Sequence, residues 1–336
     1  MTDTPTRLVL RSDDIELELL DAGAAVRRLV LRDTDGTTTD AVLGHADPLT
    51  YVTGGGYLGA SVGRVPNRID GGRFTLDGRE YTVPGNDRGN ALHGGPAGFD
   101  TRRWTVEDAS DTSVTFSLVS PDGDQGFPGE LTAHATYALD GPVVTIRYSA
   151  TATAPTVAGL TNHAYFDLDG GSTGGVLDHT LEVAASAYTP TRPDLVPTGE
   201  VAPVDGTPFD LRSPRRLRDV LAEPCEQLEH GEGLDHNLVL DGTGMRRAAR
   251  LVGATGRTLE VHTDRPGLQV YTGAHFDGSA TGLSGRPLLR NAGVALETQG
   301  FPDAPNHPHF PCSVLRPGEE LVTTTTWHFT STGAHR

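Results

Sequence analysis

The sequence contains no lysine, because all 27 of its basic residues are arginines. Schiff-base catalysis, the anchoring of pyridoxal phosphate and the phosphate-binding loop of Walker-type nucleotidases each require a lysine amine. These three functions are therefore excluded.

Positive charge is also scarce. The 27 arginines stand against 44 Asp and Glu residues, which gives a formal net charge of −17 at pH 7. Phosphate backbones are bound through clustered basic side chains, so a chain this acidic is a poor ligand for nucleic acid. We predict no nucleic-acid partner.

Cysteine is rare, and long apolar segments are missing. Cys225 and Cys312 are the only cysteines and neither belongs to a Cys-x-x-Cys pair, which argues against a disulfide framework or a cysteine-rich zinc site. A membrane helix needs about 18 consecutive apolar residues, and no segment of the sequence comes close to that length. Residues 1–20 lack the basic start and the apolar stretch of a signal peptide. We predict a soluble, cytoplasmic protein that contacts no membrane.

Glycine and proline are abundant instead. The chain has 42 glycines and 23 prolines, so helices should be few and turns many. Asp-Gly between alternating segments is a strong hairpin signal, because both central residues of a type I′ turn need positive φ. Alternating apolar positions flank Asp77-Gly78 and Asp140-Gly141. We predict a hairpin at each of these two pairs.

Only one segment has convincing helical periodicity, residues 215–223 between Pro214 and Pro224. The chain is therefore predicted to be all-β, and so many strands must stack or close to bury their apolar faces. We predict a large antiparallel β-sandwich. The length could hold two domains, but no linker or composition break divides it, so we predict one domain over residues 1–336.

One glycine-rich motif matches a nucleotide-binding pattern but lacks the required context. Gly54, Gly56 and Gly59 fit G-x-G-x-x-G, yet Gly63 and Pro66 follow closely. A dinucleotide-binding loop must open a helix, and this composition does not favour one. We predict no nucleotide cofactor.

Two other short motifs are set aside for similar reasons. Gly59, Ser61 and Gly63 fit the nucleophile elbow G-x-S-x-G, which requires the strand-to-helix turn of an α/β-hydrolase. His307 and His309 form a pair that could bind zinc, but their proline-rich flanks are typical of a surface turn. We predict neither a serine hydrolase nor a metal site.

Chemistry is expected in a set of polar, glycine-dense segments. Each places one or two side chains able to bind or move protons beside apolar neighbours that would partly desolvate them. A histidine and a glutamate on a β scaffold suit general acid–base catalysis, although a lone histidine such as His93 can equally be structural. Spacing alone does not show that His163 and Glu297, 134 positions apart, meet. The segments are residues 67–69, 90–95, 161–166, 234–237, 266–271 and 296–299.

In their order along the chain, these segments resemble the motifs of the aldose 1-epimerase family, to which galactose mutarotases belong. The resemblance runs from about Gly59 to Phe329. It implies a β-sandwich of the galactose mutarotase type, in agreement with the hairpin pattern. It also implies an isomerase that interconverts the α and β anomers of free aldoses such as galactose or glucose, without a cofactor. The matching stretches are residues 63–64, 67–69, 92–95, 124–129, 160–163, 165–166, 235–237, 296–299 and 301–306.

The resemblance also implies roles for individual residues. The general base falls on Glu297, the general acid on His163 and a second site histidine on His93. Contacts to sugar hydroxyls fall on Arg68, Asn67, Asp235 and Gln269, with Tyr165 as a weaker contact.

Elementary chemistry agrees with these roles. Anomer exchange removes the proton of the C1 hydroxyl and protonates the ring oxygen, which opens the ring. Partial desolvation should raise the pKa of Glu297 from its ordinary value of about 4.3 toward the working pH. His163, with an ordinary pKa of about 6.5, is expected to be partly protonated at neutral pH. Arg68 stays charged and therefore suits binding rather than proton transfer.

Four places depart from the family pattern. Ala164 stands where serine is usual, Asp167 where asparagine is usual, and Gly300 where histidine is frequent. Val65-Pro66 replaces an aromatic and a small residue. None of these is an acid–base position, so the departures bear on the pocket and on substrate preference.

Three alternatives remain open from the sequence. A sugar-binding module without activity would be expected to lack Glu297 or His163. A retaining glycosidase would use paired carboxylates such as Asp235 and Glu297, about 5–5.5 Å apart. A hexose-6-phosphate epimerase would need a basic cluster, and the dense one lies within residues 215–218. The expected partner is a small free aldose, and the expected assembly is a monomer or homodimer.

Overall fold

The computed structural model describes residues 4–171 and 174–330, which are built almost entirely from β-strands. The first fifteen strands are β1 (Arg7–Arg11), β2 (Ile15–Leu20), β3 (Ala25–Arg32), β4 (Thr38–Asp40), β5 (Ser61–Val62), β6 (Arg68–Ile69), β7 (Arg73–Leu76), β8 (Arg79–Thr82), β9 (Ala91–Leu92), β10 (Thr105–Ala109), β11 (Ser113–Ser120), β12 (Leu131–Asp140), β13 (Val143–Ala152), β14 (Thr156–Val157) and β15 (Thr161–Asn162). The others are β16 (Tyr165–Phe166), β17 (Thr180–Val183), β18 (Ala185–Tyr188), β19 (Ala202–Pro203), β20 (Arg215–Arg216), β21 (Asp235–Leu240), β22 (Arg246–Val252), β23 (Thr258–Thr263), β24 (Gly267–Tyr271), β25 (Asp277–Thr281), β26 (Pro287–Leu289), β27 (Val294–Gln299), β28 (Val314–Leu315) and β29 (Leu321–Thr330).

Helices in the described ranges are short. The α-helices are α1 (Thr50–Thr53), α2 (Leu217–Leu221) and α3 (Glu226–His230), and four 3₁₀ turns lie at Asp70–Gly72, Phe99–Thr101, Asp124–Gly126 and Ala304–Asn306. None of these helices has the length and apolar character that crossing a membrane would require.

The strands of the described residues pair antiparallel throughout. Nine strands form the largest sheet, in the order β10-β11-β12-β13-β29-β23-β22-β17-β20. A six-stranded sheet has the order β16-β27-β24-β21-β18-β19, and a four-stranded sheet has the order β1-β2-β3-β4. The remaining pairs are β14 with β28, β15 with β5, β25 with β26, β6 with β9 and β7 with β8.

The core lies between these sheets. Every second side chain of β12, from Leu131 to Leu139, is buried, which is the alternation expected of a strand with one face in a core. These side chains belong to one cluster with aliphatic residues of the other two large sheets, such as Leu17 in β2 and Leu296 in β27. The predicted large antiparallel β-sandwich is confirmed.

The two predicted hairpins form, with one turn displaced. Asp77 and Gly78 join β7 to β8 and both have positive φ, 49° and 80°. In the second hairpin Asp140 pairs with Val143, so the turn consists of Gly141 and Pro142. Proline cannot adopt positive φ, and Gly141 at φ 52° therefore takes the first central position.

The predicted helix is shorter than residues 215–223. Arg215 and Arg216 are strand residues that pair with β17, and the helix begins only at Leu217. The sequence patterns do not predict α1 or α3, because a helix of one turn shows too little periodicity to be recognised.

Candidate active site

One face of the six-stranded sheet carries a row of polar side chains. Residues directly opposite each other on paired strands share a face, and β24 pairs with β27 so that Gln269 lies opposite Glu297. On its other side β24 pairs with β21, where Tyr271 lies opposite Asp235. Strand pairing therefore brings Asp235 and Glu297 to one face of the sheet.

The other face of β27 belongs to the core. Leu296 lies in the main apolar cluster, and the hydroxyl of Thr298 lies 2.5 Å from the hydroxyl of Thr325 in the nine-stranded sheet. Because successive side chains of a strand alternate, Glu297 faces away from that sheet. It is nevertheless only 2% exposed, since loops cover this side of the sheet.

His163 directly follows β15, and its main chain is fixed by hydrogen bonds. Its carbonyl accepts the N–H of Gly59 and its own N–H donates to the carbonyl of Ala60, both at 2.9 Å. The side-chain amide of Asn162 donates to Gly59 at 2.7 Å, and its oxygen accepts the N–H of Ala164 at 2.9 Å. The loop that carries the imidazole is therefore held on both sides of the histidine.

A buried hydroxyl network supports this loop. The hydroxyl of Ser61 lies 2.9 Å from the hydroxyls of Tyr137 and Tyr148. Tyr137 donates to the carbonyl of Ala24 at 2.8 Å and accepts the amide of Asn162 at 3.2 Å. Ser61 begins a strand rather than a helix, and its hydroxyl is part of a structural network. The structure thus agrees with the exclusion of a serine hydrolase.

His93 and Asn67 fix each other. The backbone N–H of His93 donates to the carbonyl of Asn67, and the backbone N–H of Asn67 donates to Nδ1 of the His93 ring, each at 3.0 Å. Because Nδ1 accepts this hydrogen bond, a neutral His93 ring carries its proton on Nε2.

A cavity of about 240 Å³ lies on the loop-covered side of the sheet. Residues predicted from the sequence that line it are Asn67, Arg68, His93, His163, Tyr165, Asp235 and Glu297. Gln269 is not among the lining residues, because its side-chain amide donates to Oδ1 of Asp235 at 2.6 Å. Gln269 thus holds Asp235, and a direct contact of Gln269 with a sugar stays a prediction.

His163 and Glu297 meet in this cavity. Nε2 of His163 lies 3.5 Å from Oε1 of Glu297. The ring of His93 packs edge to face against the ring of His163, with centroids 5.2 Å apart. One carboxyl group and two imidazoles therefore border one small space, as acid–base catalysis requires.

The sequence patterns do not identify Tyr57, although it lines the same cavity. Its ring stacks on His163 at 5.9 Å and meets the edge of His93 at 4.5 Å. Tyr57 thus covers both imidazoles and helps to keep water from them. The run Gly54–Gly56 just before it marks an unusual loop, but a tyrosine beside glycines is not a distinctive signal.

Asp87 is a second wall residue that the sequence patterns miss. Its Oδ2 accepts Nε of Arg68 at 2.8 Å, while Nη1 of Arg68 lies 3.8 Å from Oδ2 of Asp235. The guanidinium is therefore held between two carboxylates and fixed in orientation. Asp87 lies in the glycine-rich residues 85–89, where an aspartate is as easily explained by a turn.

Burial dominates the electrostatics of Glu297. Removal from water raises the pKa of this carboxyl well above its ordinary value, and the nearby charge of Asp235 raises it further. The charge of Arg68 lowers the pKa in part. The predicted upward shift is confirmed, and its cause is mainly desolvation.

The two histidines shift in the opposite direction. Burial lowers the pKa of His163 to about 3 and that of His93 well below its ordinary value. The expectation that His163 is partly protonated at neutral pH is therefore wrong for the free site, because a buried imidazole loses the hydration that stabilises its charge. At neutral pH both rings are neutral, and the raised pKa of Glu297 favours its protonated form.

Two groups of described side chains have ligand atoms close enough to share a metal: His93 with His163 and Glu297, and Asp167 with Asp169 and His179. The first set has the composition of a catalytic zinc site, but an ion there would occupy the lone pairs that proton transfer needs. In the second, Nε2 of His179 accepts the N–H of Leu168 at 3.0 Å. The neutral His179 ring then carries its proton on Nδ1 and offers a metal no lone pair. The absence of a metal stays a prediction.

The arginine cluster at residues 215–218 does not line the cavity. Arg215 pairs with Glu223, and Arg218 pairs with Asp178 at 2.8 Å. The hexose-6-phosphate alternative therefore loses the support of this cluster.

Removal of the Tyr137 hydroxyl should loosen the loop that carries His163. In Tyr137→Phe the amide of Asn162 loses a partner, and we expect the amide protons of Gly59 and His163 to exchange about tenfold faster, for a loss of about 1–2 kcal/mol. Native-state hydrogen exchange by NMR measures this. Tyr81→Phe is the matched control, since the Tyr81 hydroxyl takes no part in the network, and equal effects of the two variants would contradict the role of Tyr137.

His163 should stay neutral across the physiological range. We expect the ¹⁵N shifts of its imidazole, assigned by their loss in His163→Gln, to show no titration between pH 5 and 8 because the pKa lies at about 3. The same residue in urea should titrate at about 6.5. A transition between pH 5 and 8 in the folded protein would show that burial does not control this ring.

Replacement of Glu297 by glutamine should stabilise the fold at high pH. Between the unfolded pKa of about 4.3 and the raised folded pKa, the unfolded chain releases a proton that the folded protein keeps, so the free energy of unfolding of the wild type falls by up to ~1.4 kcal/mol per pH unit. The amide of the variant does not titrate and has no such loss. We therefore expect the advantage of Glu297→Gln in urea unfolding to be larger at pH 8 than at pH 4, and an advantage that does not change with pH would contradict the raised pKa.

Comparison with known proteins agrees with this geometry. A model of the aldose 1-epimerase family matches residues 6–328. Galactose mutarotase from Rattus norvegicus is 45% identical over 322 residues, which cover 95% of this chain and 92% of the rat protein. Aldose 1-epimerase from Escherichia coli K12 is 38% identical over 330 residues, which cover 96% of this chain and 94% of that protein.

Solved structures show the same relationship. An aldose epimerase homologue from C. elegans superposes with a TM-score of 0.91 at 31% identity, covering 97% of this chain and 99% of the other. Galactose 1-epimerase from Lactobacillus acidophilus superposes with a TM-score of 0.85 at 28% identity, covering 97% and 94%. The chain therefore belongs to the aldose 1-epimerase family.

Proposed function

We propose that Glu297 and His163 perform the proton transfers of this isomerase, which interconverts the α and β anomers of aldoses. The proposal depends on one observation: Nε2 of His163 lies 3.5 Å from Oε1 of Glu297 inside a cavity of about 240 Å³. An acid and a base this close can act on two oxygens bonded to the same carbon, which is what opening a sugar ring requires.

Ring opening uses Glu297 as base and His163 as acid. The ionised carboxylate of Glu297 takes the proton of the C1 hydroxyl, and the electrons of that O–H bond form the carbonyl. The bond between C1 and the ring oxygen breaks, and the ring oxygen takes the proton of the His163 imidazolium. The product is the open-chain aldehyde, with Glu297 protonated and His163 neutral.

Ring closure reverses these roles. Rotation about C1–C2 presents the other face of the carbonyl to the hydroxyl that the former ring oxygen became on ring opening. Neutral His163 takes the proton of that hydroxyl as its oxygen attacks C1, and protonated Glu297 gives its proton to the carbonyl oxygen. The opposite anomer leaves, and no redox change or group transfer has taken place.

The burial of Glu297 and His163 determines whether ring opening or ring closure is favoured. Burial raises the pKa of the Glu297 carboxyl and lowers the pKa of the His163 imidazole, so a proton shared by the two groups in the free site favours Glu297. Opening of the sugar ring needs this proton on His163. The proton must therefore move from Oε1 of Glu297 to Nε2 of His163, which lie 3.5 Å apart. Ring opening then removes a pair of opposite charges from a buried site, which is favourable where both charges are poorly solvated.

The other wall residues bind and orient the sugar in this proposal. Arg68, held by Asp87 through Nε, keeps its terminal nitrogens for sugar hydroxyls, and Asp235 accepts from them. Nε2–H of His93 is a fixed donor, because Nδ1 accepts the N–H of Asn67. Galactose and glucose are the proposed substrates, since hydroxyl groups rather than a charged group match this wall.

We also propose the cellular compartment, the domain organisation and the assembly of the enzyme. Cys225 and Cys312 are free, which suits a reducing compartment, and we propose the cytoplasm. A single domain over residues 1–336, acting as a monomer or homodimer, completes the proposal.

Polarimetry of freshly dissolved α-D-galactose and α-D-glucose tests the base. We expect Glu297→Gln to lower kcat by about 10²–10⁴-fold, because an amide cannot accept the C1 proton. Glu80→Gln, at a largely exposed glutamate of β8, is the matched control and should retain wild-type kcat. We also expect EDTA to leave the wild-type rate unchanged.

Other outcomes would point elsewhere. A Glu297→Gln variant as active as wild type would overturn the base assignment. Sugar binding by the wild type without any acceleration would favour a sugar-binding module, and release of an aldose from a glycoside would favour a retaining glycosidase. Loss of activity in EDTA would show that a metal takes part.

A further inference from the structure

The loop that carries Tyr57 over the two imidazoles begins with three consecutive glycines, Gly54 to Gly56. Gly54 and Gly56 have φ of 86° and 69°, a conformation that glycine adopts freely and other residues adopt rarely. Ordering such a segment costs much conformational entropy, so a fixed position of Tyr57 needs contacts from outside the loop. Within the described part of the chain, the hydrogen bond between Gly55 and His45 is the one that reaches Gly55 or Gly56.

This hydrogen bond defines the state of the His45 ring. Nε2 of His45 lies 2.6 Å from the carbonyl oxygen of Gly55. A carbonyl oxygen only accepts, so Nε2 carries the ring proton and donates it. Burial lowers the pKa of His45, which keeps the ring neutral at pH 7. Because His45 is only 4% exposed, little water competes for this contact.

His45 is itself held firmly. Its backbone N–H donates to the hydroxyl of Tyr51, and its carbonyl accepts Nε of Arg27, each at 3.2 Å. The rings of His45 and Tyr51 pack edge to face with their centroids 5.3 Å apart. Arg27 in β3 is in turn bound by the buried carboxylate of Glu18 in β2. His45 therefore fixes the glycine segment to the four-stranded sheet.

The glycine segment runs through a narrow gap between two imidazoles. A Cβ placed on Gly55 would lie 2.7 Å from Nε2 of His45, and one placed on Gly56 would lie 3.1 Å from Nε2 of His275. The gap has no room for a side chain. His275 limits the segment by its shape, whereas His45 also supplies a hydrogen bond.

Tyr57 follows this segment directly and depends on it. Its ring stacks on the ring of His163 with centroids 5.9 Å apart and meets the ring of His93 at 4.5 Å. Its own φ is 61°, which is uncommon for a residue with a side chain and is kept only where the surroundings enforce it. Displacement of this ring would expose both imidazoles to water.

We propose that His45 is a positioning residue of this isomerase: by donating Nε2–H to the carbonyl of Gly55, it holds Tyr57 over His163 and His93 and so keeps water from the groups that move protons. His45 does not line the catalytic cavity and acts through the loop alone. The inference rests on the proposed function, because the cover affects the reaction only if these imidazoles take part in it.

Exchange of the Nε2 proton of His93 with water measures the cover independently of activity. It is followed by ¹H–¹⁵N NMR, and the signal is assigned by its loss in His93→Gln. In His45→Phe, which keeps a ring but loses the donor, we expect exchange to be about tenfold faster, the factor that one lost hydrogen bond corresponds to. His45→Gln keeps a donor of similar reach and should stay within about threefold of the wild type.

His134→Phe is the matched control, because His134 is a half-exposed histidine of β12 far along the chain from the loop. We expect its exchange rate and its kcat to equal those of the wild type.

A double variant tests whether His45 acts through Tyr57. Exchange should already be fast in Tyr57→Ala, and the addition of His45→Phe should change it by less than about twofold, because the two residues belong to one unit. In polarimetry of α-D-galactose, we expect His45→Phe to lower kcat by about three- to tenfold with KM within about twofold, since His45 touches no sugar, and His45→Gln to restore kcat.

Four results would overturn the positioning role: unchanged exchange in His45→Phe, exchange in His45→Gln as fast as in His45→Phe, effects of His45→Phe and Tyr57→Ala that multiply independently, or faster exchange with unchanged kcat. A wild type that does not accelerate mutarotation would overturn the proposed function instead, and the exchange rates would still decide whether His45 holds Tyr57 in place.

Discussion

The burial of a carboxyl group beside two imidazoles is the constraint on which the rest of this structure depends. Glu297 is 2% exposed, and such a group is costly to ionise because the protein interior does not replace the water it has lost. On β27, Glu297 is the one residue with an ionisable side chain. Leu296 and Thr298, its neighbours along the strand, face the core and fix the strand from behind. The positive charge of Arg68, held between Asp87 and Asp235, keeps the pKa of Glu297 from rising further.

Precise placement of the partner imidazole depends on groups that never reach the cavity. His163 has almost no freedom in its main chain, because Gly59, Ala60 and Asn162 all bond to the loop around it. The hydroxyl network of Tyr137 connects that loop to the nine-stranded sheet. A rigid strand therefore carries Glu297, the proposed base, and a loop fixed to the opposite sheet carries His163, the proposed acid. The proposed proton transfer over 3.5 Å needs both side chains to be held in place.

Much of the fold follows from local physics and could be predicted. Alternating side chains and Asp-Gly turns predicted antiparallel hairpins, and β7 to β8 formed as expected because only two adjacent residues decide that turn. The turn after Asp140 moved by one residue because Pro142 restricts the backbone. For the site, the family motifs identified residues that do line one cavity, apart from Gln269, which holds Asp235 instead. Tyr57 and Asp87 escaped notice because neither an aromatic ring nor an aspartate on a glycine-rich loop has a distinctive pattern.

The sequence by itself determined what chemistry is possible: no lysine amine, few cysteines, an all-β chain, and a glutamate and histidines in recognisable motifs. Only the tertiary structure decided that Glu297 and His163, 134 positions apart, lie 3.5 Å from each other. It also decided the direction of both pKa shifts, because burial raises the pKa of Glu297 well above its ordinary value and lowers that of His163 to about 3. The physical reason is that a pKa depends on the water a group loses, and this loss is fixed by the strands and loops that cover it, which no local pattern encodes.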